Sequence, residues 1–90
     1  MIFIVFIIIT HSGYMELAII LITLEPSSDN AVLQRLKKID GVKEAHFVYG
    51  PYDAYAKIEA TTHDQIQSIV FDKIRMLNGI RSTMTCFIAD

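Results

Sequence analysis

The polar and apolar positions divide this chain into an opening block without charge and a patterned remainder. Residues 2–9 (IFIVFIII) are eight consecutive apolar positions, and no Asp, Glu, Lys or Arg precedes Glu16. As a helix the run would be about 12 Å long, short of the ~30 Å hydrocarbon core of a bilayer. It has neither the leading positive charge nor the small residues of a secretory signal. Stretching it to Leu24 would absorb Thr10, His11, Ser12, Gly13 and Glu16, with no flanking positive charge before Arg35. No membrane anchor is expected. The expectation is that residues 1–14 are an apolar upstream extension, with translation starting at Met15 and a single domain over 15–90. A free IFIVFIII strand would be an aggregation hazard.

From Met15 the pattern repeats. LKKIDGVK (36–43) resembles IRMLNGIR (74–81), each an apolar residue, then Asp or Asn, then Gly, then a β-branched residue. This predicts a helix closed by a glycine at positive φ and followed at once by a strand. Lys37, Lys38, Lys73 and Arg75 fall in the last turns, where cations suit the helix dipole. The first helix carries a stripe of Val32, Leu33, Leu36 and Ile39, capped by Ser27 or Ser28 after Pro26. The second carries Ile66, Ile69, Val70, Ile74 and Leu77, with Thr62 and Gln65 as a capping box. Strands are predicted over 17–24, 42–49, 54–60 and 80–88, with Gly50-Pro51-Tyr52-Asp53 as the turn between the second and third. The order βαββαβ is that of a ferredoxin-like α+β fold, a four-stranded antiparallel sheet with two helices on one face.

The first strand, LAIILITL, is apolar on both faces, whereas a strand with one wet face alternates. Its second face therefore needs a cover, and a second copy of the same sheet supplies one, giving a two-fold dimeric sandwich. Size points the same way, because a chain of 90 residues buries only about 60–65% of its surface.

Charge and cysteine content narrow the function. Eight Lys+Arg against ten Asp+Glu give a net charge of −2, not the basic face that nucleic acid requires. A single cysteine, Cys86, forms no internal disulfide, which fits a cytoplasmic protein; with no base beside it, it reads as a small buried hydrophobe. His11, His46 and His63 fit no metal-ligand spacing, and His46 is expected on a half-exposed strand, His63 in the first turn of a helix. No nucleophile elbow, phosphate loop or carboxylate pair is present, so no catalytic residue, metal or cofactor is expected. Two polar stretches remain, Gly50-Pro51-Tyr52-Asp53 and Ser82-Thr83-Met84-Thr85. Each alone reads as a turn or a solvated strand. Together they offer a carboxylate, hydroxyls and backbone amides, the groups that recognise a zwitterionic amino acid.

VKEAHFVYGPYDAYAKI (42–58) resembles the GV…V-x-G-x-YD-…-K core of the Lrp/AsnC (feast/famine) regulators' effector domain, also called the RAM domain. NGIRSTMT (78–85) is similar to that family's GV-x-x-T-x-T strand. The likeness spans 15–90. It implies dimers joined through their sheets, association into octameric or similar rings, and amino acids bound where dimers meet. The ligand contacts it implies are Gly50, Tyr52, Asp53, Ser82, Thr83 and Thr85, with Asp53 pairing the ligand ammonium, a bond worth roughly 1.5–3 kcal/mol. Pro51 departs from the family, which usually has an amide hydrogen there. With no helix-turn-helix, the chain resembles the stand-alone members, which do not bind DNA directly and modulate full-length regulators. Two other readings stand beside this one. The first is a small dimeric monooxygenase or isomerase, with His46, Tyr55 and Asp53 in a cavity between sheet and helices; the second is a ligand-free oligomerisation module.

Overall fold

The computed structural model describes residues 15–89; the expected extension over 1–14, and His11 with it, lies outside them. In chain order the elements are β1 (Glu16–Leu24), α1 (Ala31–Lys37), β2 (Val42–Phe47), β3 (Ala54–Ala60), α2 (His63–Ile69), a π-helical turn (Val70–Ile74) and β4 (Ile80–Phe87). The strands form one sheet in the order β2-β3-β1-β4, every pair antiparallel. This is the ferredoxin-like α+β arrangement that the sequence predicts.

Alternation along the strands decides what each face holds. Ala18, Ile20 and Ile22 of β1 pair with Ile58, Ala56 and Ala54 of β3, and all six are fully buried. They pack with Leu36 of α1, Ile66 of α2, and Val70 and Ile74 of the π turn. Three of the four buried β3 positions are alanine, which leaves room for helical Ile and Leu side chains to reach the sheet. The intervening residues Leu17, Ile19 and Leu21 face the other way and are half-buried, opposite Glu59, Lys57 and Tyr55. One aliphatic stripe thus runs down the centre of the face away from the helices.

Both closing glycines adopt positive φ, Gly41 and Gly79 each at +97°. Thr62 caps α2 as expected: its hydroxyl accepts from Gln65 N–H at 3.1 Å, and Gln65 Oε1 accepts in return from Thr61 N–H at 2.9 Å. The start of α1 differs from expectation. Pro26 and Ser27 form a turn, Ser28 N–H donates to Glu25 C=O at 2.9 Å, and neither serine caps the helix. The chain reaches Asn30 before turning helical, and Asp29 Oδ1 accepts from Ala31 N–H at 3.1 Å. Strands β2 and β4 end earlier than predicted. Cys86 is exposed rather than buried, because its register partner is Ile19 on the open face.

Candidate functional site

The polar corner is built where β3 begins. The loop 48–53 closes through Val48 N–H to Asp53 C=O at 2.9 Å, and Gly50 sits at φ +133° at its exposed tip. Tyr49 beside it is fully solvent-exposed. Asp53 fastens the loop to β1 twice. Its N–H donates to Ile22 C=O at 2.9 Å, and its Oδ2 accepts from Leu24 N–H at 2.8 Å. The β1–β4 register slips between Thr23 and Leu24, where an irregular ladder leaves backbone groups in need of other partners. A carboxylate placed at that slip holds the two strand ends in place. It keeps Oδ1, and the side chain is exposed.

Thr23 and Ser82 are register partners on the open face, and their hydroxyls are hydrogen-bonded. Tyr52 lies across the same end of the sheet, half-buried, with its hydroxyl 3.5 Å from Met84 Sδ. Tyr52, Asp53 and Ser82 therefore gather at one corner, together with Thr23 and Met84. Thr83 and Thr85 pair with Ile22 and Ile20, so alternation turns them to the helix-covered side of β4. The six expected contacts thus divide: three share the corner, Gly50 stands out at the loop tip, and two threonines face away. Thr23 was not singled out in the sequence, and Met84 was named only as part of the 82–85 run. Thr23 was detectable as the hydroxyl that interrupts the apolar β1.

On the same face, Tyr55 donates to Glu44 Oε1 at 3.0 Å, and its ring lies 5.5 Å from that of His46. That hydrogen bond, then desolvation, then the charge of Glu44 raise the tyrosine above its ordinary 10.0. His46 and Tyr55 lie on the side away from the helices, so the catalytic cavity between sheet and helices does not gain them. His63 opens α2 as expected, its Nε2 3.0 Å from Glu16 Oε2 and its ring stacked on Phe87 at 4.1 Å. No group of three or more His, Cys, Asp or Glu among the described residues is placed to hold a metal. None of the helices there is long and apolar enough to cross a membrane.

The fold is that of a ligand-binding domain found in transcription regulators. Residues 17–90 match the model of the Lrp/AsnC ligand binding domain, and the chain belongs to that family. An uncharacterized helix-turn-helix-type transcriptional regulator of Pyrococcus horikoshii is 37% identical over 71 residues, which are 76% of this chain and 47% of the relative. The chain thus spans about half the length of the curated relatives it matches. Among solved structures, FFRP-DM1 superposes with a TM-score of 0.75 at 31% identity, covering 82% of this chain and 99% of the other. AsnC of E. coli superposes at 0.78 and 29%, covering 87% of this chain and 53% of AsnC. The feast or famine regulatory protein of M. tuberculosis, complexed with L-methionine, shares the fold at a TM-score of 0.74 and 23% identity, over 87% of this chain and 52% of that one.

Proposed function

We propose that this chain is an amino-acid effector-binding and self-assembly module that serves Lrp/AsnC-type transcription regulators in the cytoplasm. The observation that carries the reading is the corner of Tyr52, Asp53 and Ser82, set at the end of a sheet whose outer face is a half-buried aliphatic stripe. Two copies joined on that face, and dimers joined into an octamer or similar ring, would bring such corners against a neighbour. The loop tip with Gly50 and the exposed Tyr49 is shaped for that contact. Asp53 Oδ1 would take the ligand ammonium, the Ser82 hydroxyl would serve its carboxylate, and Tyr52 would wall the pocket. Thr83 and Thr85 would reach a ligand only from the far side of β4. The methionine bound by the M. tuberculosis neighbour supports an amino acid as effector. Its influence on full-length regulators would be linkage: a ligand held between dimers favours the assembly that contains it.

Calorimetry with each common L-amino acid tests the reading, on the wild type and on Asp53→Asn. Asparagine keeps a carbonyl oxygen for Leu24 N–H and removes only the charge. Binding that weakens about tenfold or more in the variant supports the assignment, and equal affinity removes Asp53 from the site. Failure of every amino acid to bind leaves a ligand-free assembly module. Two observations favour that second reading: Pro51 has no N–H to offer, and Asp53 Oδ2 is already engaged by Leu24 N–H.

A further inference from the structure

The repeat that closes each helix holds Asp40-Gly41 in its first copy and Asn78-Gly79 in its second, with both glycines at φ +97°. Asn78 is exposed in a turn, and the Gly79 N–H donates to no backbone carbonyl among the described residues. Gly79 has no Cβ to hinder an approach between its nitrogen and Asn78 Cγ. Asn30 is guarded on each count: Ala31 after it carries a Cβ, opens α1 and donates its N–H to Asp29 Oδ1 at 3.1 Å. The two copies also differ in charge. Asp40 shares its groove with Lys38, Lys43 and Lys73 as well as Glu59 and Asp64, so carboxylates and ammonium groups match. Asn78 lies with Glu25 and Asp29, and Arg35 is the one cation beside them among the described residues.

We propose that Asn78 is a self-modification site, converted through Gly79 to aspartate and isoaspartate while the chain stays folded. The Gly79 nitrogen, its proton removed by hydroxide, bonds to Asn78 Cγ; the Cγ–Nδ2 bond breaks, and ammonia leaves with a proton from water. Water then opens the succinimide ring. Attack at Cγ gives aspartate, whereas attack at the Asn78 backbone carbonyl gives isoaspartate, with an added methylene in the main chain. No electrons are exchanged, and the sum is amide plus water to carboxylic acid plus ammonia. The first copy shows that aspartate suits this turn, but at position 78 it sets three carboxylates against a single guanidinium. Isoaspartate lengthens the chain directly ahead of the Gly79 C=O, which accepts from Glu25 N–H at 2.8 Å, and of Ile80, the register partner of Leu24. Leu24 N–H in turn holds Asp53 Oδ2 at 2.8 Å. The modification therefore loosens the strand end that anchors the 48–53 loop.

The test keeps the folded full chain in mildly alkaline buffer and follows the tryptic peptide 76–81 by mass, with isoaspartate counted by isoaspartyl methyltransferase labelling. Conversion at Asn78 is expected to run about tenfold or more faster than at Asn30. It is expected to be lost in Asn78→Gln, whose longer side chain must close a larger ring. Amide resonances of Leu24 and Glu25 are expected to shift as isoaspartate accumulates, and to stay fixed in aged Asn78→Gln. Asn78→Asp is expected to keep the wild-type circular dichroism with a lower urea midpoint, a gap that narrows in high salt. Equal rates at Asn78 and Asn30, or conversion only in the urea-unfolded chain, would overturn the proposal. So would isoaspartate that accumulates without moving the Leu24 and Glu25 resonances.

Discussion

Gly79 and Gly41 share φ +97° but differ in what surrounds them. A Cβ at Gly41 meets Ile69 Cδ1 at 2.9 Å, the far end of a flexible side chain, whereas at Gly79 it meets Ser28 Oγ at 2.6 Å and Ser28 Cβ at 3.1 Å. Gly50 has nothing within 4 Å. Backbone strain alone costs an L-residue about 1–3 kcal/mol at such φ values. Gly79→Ala is therefore expected to lose more stability than Gly50→Ala, and Ser28→Ala in the same chain is expected to return part of the difference. Urea midpoints at constant m-value measure both. Tyr55 carries a pH dependence. Its folded ionisation lies above that of the unfolded phenol, near 10.0. The folded state therefore keeps a proton that the unfolded chain releases. That contribution is whole below about pH 10 and drains away as pH climbs through the folded value. Glu44→Ala is expected to bring the Tyr55 titration, followed by NMR of its ring carbon, back toward the ordinary range.

Among the elements, the two helices begin by different means. Thr62 gives α2 a side-chain cap, while Asn30 before α1 makes no such bond. Thr62→Ala is expected to cost about 1 kcal/mol and Asn30→Ala less than about 0.5 kcal/mol, read from thermal or urea unfolding. The Thr62–Gln65 pair was legible because a capping box needs only local spacing. The α1 start was not, since Ser27, Ser28, Asp29 and Asn30 are all competent caps and the Glu25–Gly79 bond across the fold decides among them. The π turn was equally hidden. Ile66, Val70 and Ile74 recur every four residues, a spacing that drifts around a 3.6-residue helix; the wider turn, closed by Arg75 N–H to Val70 C=O at 2.9 Å, lets Val70 and Ile74 both stay buried. The strands were legible as the runs that flank each predicted helix, and alternation along β4 already parts Ser82 from Thr83 and Thr85. What no local pattern held is Asp53's bond to Leu24, 29 positions away, which makes the carboxylate a structural tie as well as a candidate contact.

For the whole molecule, the open sheet face sets the energetics. Leu17, Ile19 and Leu21 are half-buried in a single copy, flanked by Tyr55, Lys57 and Glu59 on β3 and by Met84 and Cys86 on β4. Completing their burial in both copies of a two-fold pair involves six side chains. At half of the ~1.5–3 kcal/mol for each full burial, the gain is about 5–9 kcal/mol. Lost translational and rotational freedom costs about 4–15 kcal/mol, so the aliphatic stripe brings a dimer near balance and Tyr55 and Met84 must supply the surplus. Such an interface is sensitive to one change, because symmetry writes each substitution twice. Leu21 sits between Tyr55 and Met84 at the end of the stripe nearest the polar corner. Leu21→Lys places an ammonium there in each copy, where desolvating it outweighs what the leucine contributed. Light scattering after size exclusion is expected to show a dimer or larger assembly for the wild type and single chains for Leu21→Lys. The helix-side core of Ile20, Ile22 and Ile58 is untouched by the change, so circular dichroism is expected to match the wild type. A wild type that runs as single chains at micromolar concentration would remove the interface, and with it the neighbour that the Tyr52–Asp53 corner requires.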